Sequence, residues 1–181
     1  MKKVLKLSLS LLGNQVLGFV GSVMCIIFVN LIAGDTIYAH LLFLLINLSF
    51  FIYIEYRAAF TSGFHDADRR NNCLSKKYIW KGALAGVISI IPLLIIISFF
   101  LYAYFIGNVP LTNTFTILLR ISAMYYVYPM LNILPNHMLA VVLSSVIVPI
   151  VVPMLGYIAG YKNYEWTYEI LKIRLKKEKK D

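Results

Sequence analysis

Long apolar runs constrain this chain more than any other feature. Five of them follow one another, at residues 7–33, 37–60, 82–106, 115–134 and 138–161. An α-helix needs about 20 apolar residues to cross the hydrocarbon core of a bilayer. The whole sequence is 60% hydrophobic and 14% charged, whereas ordinary globular domains are about 45–50% apolar and about 25% charged. The pattern therefore predicts an all-α integral membrane protein.

The first run could be mistaken for a secretory signal peptide, because basic residues precede it. The apolar core of such a signal is only about 7–15 residues long, and the run here continues to Ala33. Ile32 is also large where a cleavage site requires a small side chain. The first run is therefore predicted to be a retained span.

The distribution of basic residues selects four spans rather than five. With spans at residues 7–33, 37–60, 82–106 and 138–161, every one of the 17 Lys and Arg except Arg120 lies on one side. Cytoplasmic loops carry the excess of Lys and Arg, so that side is the cytoplasm. A fifth span would move the basic tail across the membrane. Residues 1–162 are predicted to form a four-helix membrane bundle with both termini cytoplasmic.

The remaining run, residues 115–134, is predicted to be an additional helix on the outer side. Arg120 lies near its centre, where a charge at mid-bilayer would cost about 2.5–3.5 kcal/mol or more,. The helix is therefore either interfacial or partly re-entrant, and both alternatives stay open. Asp35 is the only acid assigned to the outer face, so it is predicted to form an ion pair with Arg120.

Residues 163–181 form a basic cytoplasmic tail with an amphipathic pattern. Trp166, Ile170 and Ile173 recur at helical spacing among Glu and Lys. A net charge of +9 that is divided into clusters between apolar runs suits topology and anionic lipid better than nucleic acid,. The sequence favours a solvated tail that fixes topology, with anionic lipid binding as the alternative.

A polar stretch at residues 61–80 joins the second and third spans on the cytoplasmic side. It contains the possible metal ligands His65, Asp66, Asp68 and Cys73. A zinc site on a helix usually has two His four residues apart, and this stretch has one His. Arg69 and Arg70 can pair with the carboxylates. The sequence favours a charge-paired structural loop without metal or cofactor, and it has no phosphate-loop, dinucleotide or hydrolase motif. No enzymatic activity is expected.

Three segments resemble a group of small, uncharacterised multi-span membrane proteins of low-GC Gram-positive bacteria. They are "SGFHDADRRN", "WKGALAGVISIIP" and "GYIAGYK". The group has Asn at the position of Asp68. The resemblance implies a location in the bacterial cell (inner) membrane and assigns no activity.

Polar side chains inside the spans form a second candidate site. Asn14, Gln15 and Glu55 reach a similar inner depth, and Asn47 lies deeper in the second span. These residues could line a proton or cation pathway, but the sequence favours an interhelical hydrogen-bond cluster that fixes packing.

Prolines and glycines predict the shape of the last two spans. Pro149 and Pro153 are expected to kink the last span, and Pro92 to bend the third one less. Gly82 and Gly86, and likewise Gly156 and Gly160, form G-x-x-x-G pairs at the inner ends of these spans. Such pairs let helix backbones approach closely, so a shared interface is predicted. The residues predicted to pack the helices against one another are therefore Gly82, Gly86, Gly156 and Gly160.

Two functions remain open. The first is a non-enzymatic membrane partner or accessory subunit that binds another membrane protein or a second copy of itself. The alternative is a small transporter or channel component that acts as an oligomer. A polar cavity at mid-membrane would favour transport, and a closed bundle would favour the partner role.

Overall fold

The computed structural model describes residues 2–34, 36–71 and 80–178, and every regular element within them is a helix. The helices are α1 Lys2–Ala33, α2 Ile37–Asn71, α3 Lys81–Ser89, α4 Ile91–Ile106, α5 Val109–Ser122, α6 Val127–Ile133, α7 Met138–Ser144 and α8 Ile147–Glu178. A short 3-10 helix, Pro135–His137, joins α6 to α7.

Three helical segments are long and apolar enough to cross a membrane, namely Lys3–Val29, Ile37–Asp68 and Pro135–Asn163. A fourth is reached if Lys81–Ser89 and Ile91–Ile106 count as one span that is bent by 55°. The described chain therefore has three such segments, or four with the bent pair.

Helix α2 lies at the centre of the bundle. Every fourth residue from Ala39 to Ala67 is buried, although α2 carries apolar residues on all its faces in its first half. Because an α-helix turns about 100° per residue, a strict four-residue stripe rotates about 40° at each step. The buried stripe thus winds around α2. Near the start of α2 it faces α1 and α6, and near the end it faces α8.

Helix α1 runs antiparallel to α2, and α8 runs parallel to it. Gly18 and Gly21 of α1 lie beside the rings of Phe51 and Phe50. On the other side of α2, Gly156 and then Gly160 of α8 contact the α2 backbone at successive turns, so the two helices run in the same direction. These directions are those of alternating spans.

The third predicted span is not a straight helix. Pro92 has no N–H to donate to the carbonyl of Ile88, and its ring crowds that turn. The chain breaks at Ile90 and bends by 55° before continuing as α4. Pro92 is predicted to bend its span less than Pro149 and Pro153 bend theirs, and this is wrong for Pro153, because α8 is continuous through that residue.

The last predicted span contains a break of its own. Helix α7 ends at Ser144 and α8 begins at Ile147. Pro149 cannot donate to the carbonyl of Ser145, four residues earlier, which accounts for a break at this point.

The predicted single helix at residues 115–134 is wrong, because the chain forms α5, a turn at residues 123–126 and then α6. The Tyr125 ring stacks on Phe51 with centroids 3.9 Å apart and an interplanar angle of 7°. From there the chain returns, since the Tyr128 ring lies 5.8 Å from Phe43 and 6.0 Å from His40. The chain therefore descends as α5, reaches Phe51 of α2 at Tyr125, and rises beside α2 as α6.

Helix α5 packs antiparallel to α4 below a tight turn. Gly107 adopts a left-handed conformation at φ 74°, and the Asn108 side chain accepts a hydrogen bond from the Leu111 N–H at 3.1 Å. Phe99 and Phe115 stack across the pair at 5.6 Å. The largest hydrophobic cluster joins this hairpin to α2, α6 and α7, so residues 115–134 belong to the core rather than to a surface helix.

The predicted polar loop is shorter than the sequence indicated, because α2 continues to Asn71. Ala67 is buried, and Gly63 lies against the α8 backbone at Tyr157. Packing against α8 therefore extends the helix into residues 61–71. Residues 72–79, including Cys73, lie outside the described residues.

Candidate functional site

Two polar groups lie within the described bundle. We call Asn14, Gln15, Glu55 and Ser89 the polar layer. We call Lys3, Asp66, Lys81 and Tyr157 the inner anchor. Glu55 and Asp66 share helix α2 and are 11 residues apart, which corresponds to about 16 Å along the helix axis.

The polar layer joins α1 to α2 and α3. The Asn14 amide donates to the backbone carbonyl of Ile54 at 3.3 Å, and the Gln15 amide donates to the Ser89 hydroxyl at 3.2 Å. Ser89 in turn donates to the carbonyl of Gly86 at 2.8 Å. Both amides therefore make interhelical bonds, each to a different helix.

Asn47 does not belong to this layer. Its amide donates to the Phe43 carbonyl, one turn earlier on the same helix, at 2.9 Å. The predicted grouping of Asn14, Gln15, Asn47 and Glu55 as one hydrogen-bond cluster is therefore wrong for Asn47.

Glu55 is the exception within the polar layer. Its side chain is fully buried at 0% exposure, and neither carboxyl oxygen has a hydrogen-bond partner among the described residues. Tyr125, at the tip of the 123–126 turn, stacks on Phe51, one helical turn before Glu55 on the buried stripe of α2. Buried polar side chains nearly always have a partner, so this bare carboxyl is the most unusual group in the described chain.

Side-chain contacts connect three helix interruptions to the polar layer or to Phe51 of α2. The α3–α4 break follows Ser89, which is bonded to Gln15. The 123–126 turn places Tyr125 on Phe51, one helical turn from Glu55. The Tyr126 hydroxyl is 2.9 Å from that of Ser144, which joins this turn to the α7–α8 break.

The inner anchor ties together four helices through one carboxylate. Asp66 of α2 accepts a hydrogen bond from the Lys81 ammonium of α3 and another from the Tyr157 hydroxyl of α8 at 3.0 Å. Lys3 of α1 lies 3.7 Å from its second oxygen. The Lys81 ammonium is also 5.6 Å from the centre of the Tyr157 ring. The group is satisfied and cross-links the bundle.

The possible metal ligands in this region do not converge among the described residues. His65 is exposed and meets the Phe64 ring edge-on at 6.3 Å, while Asp66 faces Lys81. Within residues 2–34, 36–71 and 80–178, no three His, Cys, Asp or Glu side chains are grouped to hold a metal. Asp68 remains a predicted structural residue of this segment.

The predicted Asp35–Arg120 ion pair lies outside the described residues, because Asp35 is not among them. Arg120 is half-buried in the last turn of α5, and its buried Nε atom has no hydrogen-bond partner within the described part of the chain.

The glycine pairs pack inside the bundle, but not against each other. A Cβ atom on Gly82 or Gly86 would collide with the α8 backbone at Pro153 and Pro149 respectively. Gly156 and Gly160 instead face the α2 backbone at Tyr56 and Phe60. The close approach of α3 and α8 is present, and the single shared glycine interface is wrong. The backbone carbonyls of α8 contact the glycines of α3, and the glycines of α8 contact the backbone of α2.

Four residues of these two groups are not predicted by the sequence. Lys3 and Lys81 count there only among the Lys and Arg that set the topology, and Tyr157 and Ser89 have no predicted role. The signal for Lys81 is its position directly before an apolar run, where a cation must either reach water or meet an acid. Tyr157 lies within "GYIAGYK" between Gly156 and Gly160, and that spacing gave no sign of its hydroxyl partner.

Comparison with known proteins adds no relative. No protein-family model, no curated protein and no solved structure matches this chain.

Proposed function

We propose that this chain is a multi-pass protein of the bacterial cell membrane, with four spans and both termini in the cytoplasm. The long apolar helices and the position of the Lys and Arg support this topology,. In this arrangement residues 107–134 enter from the outer side, turn beside Phe51 and return. The resemblance of "SGFHDADRRN" and its companion segments to Gram-positive membrane proteins supports the bacterial address.

Accessibility of single cysteines tests the topology. Cys25 and Cys73 are first replaced by Ala, and Cys is then placed at Lys6, Asn136 or Lys179. An impermeant thiol reagent added to intact cells is expected to label only position 136, in the outer turn between α6 and α7. Labelling of position 179 with protection of position 6 would require an odd number of spans and would overturn the topology.

Within this topology, the function that the geometry supports best is a non-enzymatic membrane partner or accessory subunit. The observation that carries it is the close packing of α3, α8 and α2 at their glycines. Gly82 and Gly86 hold α3 against α8, and Gly156 and Gly160 hold α8 against α2, each at backbone contact. The charged groups at the inner end satisfy one another in the inner anchor. The chain thus offers outward apolar helix faces, most extensively on α1.

Purification and reconstitution test the partner role. Extraction of native membranes in mild detergent is expected to yield a defined complex with a second membrane protein or a second copy, at constant stoichiometry through two different chromatography steps. Proteoliposomes of the purified chain alone are expected to show no ion flux above empty vesicles. Reproducible flux from the chain alone would overturn the partner role.

A transporter or channel component is the second candidate, and Glu55 is the observation that favours it. Intramembrane acids are rare, and discontinuous helices commonly surround the binding sites of secondary transporters. Here a buried carboxyl lies in a bundle whose helices are interrupted at residues 90, 123–126 and 145–146. Flux that disappears in Glu55→Gln, with the variant still folded, would establish this role.

The basic tail is proposed to lie on the cytoplasmic side, where it could bind anionic lipid. Lys and Arg near a membrane surface each contribute about 1 kcal/mol of attraction to anionic lipid. Sedimentation of a fusion of residues 163–181 with anionic and with neutral vesicles distinguishes lipid binding from a solvated tail.

A further inference from the structure

We propose that Glu55 is a proton-binding site whose proton exchanges with water when the tip formed by residues 123–126 moves away from α2. This inference goes beyond the partner role and does not depend on the identity of any partner.

The surroundings of Glu55 determine the charge that its side chain can carry. An isolated ionised carboxylate is extremely unfavourable in an apolar interior unless a cation or several donors face it. No donor faces Glu55, and neither of its oxygens has a partner among the described residues. The group is therefore a neutral carboxylic acid in this closed conformation, which means that it holds a proton.

Polar groups from several helices lie around the Glu55 carboxyl. Helix α1 brings the uncharged amides of Asn14 and Gln15 to this level, and α3 brings Ser89. The 123–126 turn brings Tyr125, whose ring stacks on Phe51, the residue one helical turn before Glu55 on the buried stripe of α2. On α8, the hydroxyl of Tyr157 is bonded to Asp66 in the inner anchor.

The nearest fixed charges lie lower in the bundle. Asp66 and its two lysines are about 16 Å from Glu55 along α2, and they are paired with each other. Asp66 offsets one of the two lysine charges, and at an effective dielectric constant of about 20 the remaining single positive charge would change the ionisation equilibrium of Glu55 by less than about tenfold at that distance. The protonation of Glu55 is therefore controlled by access to water rather than by a neighbouring charge.

A proton-binding carboxyl differs from a structural carboxylic acid in whether its O–H holds two elements together. A structural carboxylic acid usually donates its O–H to an acceptor and thereby fixes two elements. Glu55 makes no such bond within the described chain, so its polar group contributes nothing to this conformation. Leucine or methionine would fill the same space without the cost of burying a carboxyl. The benefit of the acid must come in a second conformation, where the proton leaves to water and the carboxylate is hydrated.

The cover over Glu55 is the part of the bundle best suited to move. Helix α6 is only seven residues long, and an irregular turn precedes it. The Tyr125–Phe51 stack and the Tyr126–Ser144 hydrogen bond hold the tip in place. Interruptions between helices absorb backbone rotation when segments move; the tip is one such interruption, and Tyr126 connects it to another at the end of α7.

Infrared difference spectroscopy tests the proposal on the whole chain in lipid vesicles. The difference between the native chain and Glu55→Gln isolates the C=O band of this one acid among the eight Asp and Glu. We expect a protonated-acid band that shifts in heavy water and is replaced by a carboxylate band as the pH rises. Binding of N,N′-dicyclohexylcarbodiimide, an apolar reagent that adds to protonated carboxyls, should label Glu55 and decline with the same pH dependence.

A matched pair of variants tests the role of the tip. Tyr125→Phe preserves the ring that stacks on Phe51 and should exchange deuterium at the native rate. Tyr125→Ala removes the stack, and exchange at Glu55 should become about tenfold faster. Circular dichroism and a monodisperse elution profile confirm that both variants are folded.

Four results would overturn the proposal. A band that persists at alkaline pH and ignores heavy water, even in Tyr125→Ala, would make Glu55 a sealed structural acid. A carboxylate band at every pH would show that it is ionised. Equal exchange rates in Tyr125→Ala and Tyr125→Phe would show that the tip is not the cover. Loss of the acid band on adding Na⁺ at fixed pH, but not on adding K⁺, would assign the site to a metal cation.

Discussion

The Lys81 ammonium donates to the Asp66 carboxylate while only 6% of the Lys81 side chain and 13% of the Asp66 side chain are exposed. Lys81 is the first residue of α3, and Asp66 lies in the last turns of α2. The pair therefore fixes where the third helix starts relative to the second. Because both charges are largely removed from water, each depends on the other.

Replacement of Lys81 by Met should destabilise the bundle strongly. Loss of one partner of a buried ion pair leaves an uncompensated charge, and such changes cost about 3–5 kcal/mol. The residual contacts of Asp66 with Tyr157 and Lys3 favour the lower end, about 3 kcal/mol. Unfolding of the purified protein in mixed detergent micelles measures the free energy.

Lys3 provides the matched control, since it approaches the same carboxylate but its side chain is 46% exposed. Lys3→Met should change the free energy of unfolding by less than about 1 kcal/mol. In the double variant Asp66→Asn with Lys81→Met, the loss should be smaller than the sum of the single losses. Additive losses would contradict the direct pairing of the two residues.

Tyr157 should contribute through its hydroxyl as well as through its ring. Tyr157→Phe keeps the ring in the hydrophobic cluster of α1, α2, α3 and α8 and removes the donor to Asp66. Hydrogen bonds to charged groups contribute about 1.5–3 kcal/mol, so a loss of about 1.5 kcal/mol is expected. Tyr53→Phe is the control, because that hydroxyl accepts from Arg57 in an exposed position. An equal effect of the two substitutions would show that the hydroxyl of Tyr157 is energetically neutral.

The sequence located the helices well where hydrophobic runs were long and uninterrupted. Residues 7–33 and 37–60 fall within α1 and α2. The sequence-based prediction failed at residues 115–134, because residues 115–128 contain no Gly or Pro that would indicate a turn. The turn at residues 123–126 accompanies a tertiary contact, the stacking of Tyr125 on Phe51. No local pattern records a partner that is far away in the sequence.

The candidate sites were predictable only in part, for a similar reason. Apolar surroundings marked Glu55 as an unusual residue. The sequence could not reveal that its oxygens lack partners, because this depends on side chains from other helices. For Asp66, the adjacent Arg69 and Arg70 suggested local pairing, whereas Lys81 reaches it from the next helix. The Asp side chain is short, so only groups held close to it can bind it. Which groups lie close is known only from the fold.

The hydrogen bond between Gln15 and Ser89 should contribute little to stability. Interhelical hydrogen bonds in membrane proteins average about 0.6 kcal/mol. Gln15→Leu is therefore expected to lower the free energy of unfolding by less than about 1 kcal/mol. Ser89→Ala should have a similar effect, and the double variant should lose no more than either single one. A loss comparable with that of Lys81→Met would mean that the polar layer, and not the inner anchor, holds the inner half of the bundle together.

The glycines at the helix crossings should tolerate no side chain, and Gly13 shows why this is a property of position. A Cβ atom on Gly156 would lie 2.6 Å from the carbonyl oxygen of Tyr56, closer than real Cβ atoms approach backbone. A Cβ atom on Gly13 would meet nothing within 4 Å. Ala favours a helix interior by up to about 1 kcal/mol over Gly, so Gly13→Ala should be neutral or stabilising. Gly156→Ala must instead separate α8 from α2, and we expect it to lower the thermal midpoint in detergent.

Leucine at Gly86 extends this comparison to the other face of α8. Gly86→Leu should separate α3 from α8 at Pro149, because overpacking at a close crossing forces backbone shifts that cost about 1–3 kcal/mol. Thermal midpoints of the monomer and native mass measurements, made on the same samples, separate internal packing from self-association. If Gly86→Leu or Gly156→Ala leaves the monomer as stable as Gly13→Ala does but abolishes a dimer, the glycine grooves face another copy of the chain and the helix packing described above is wrong.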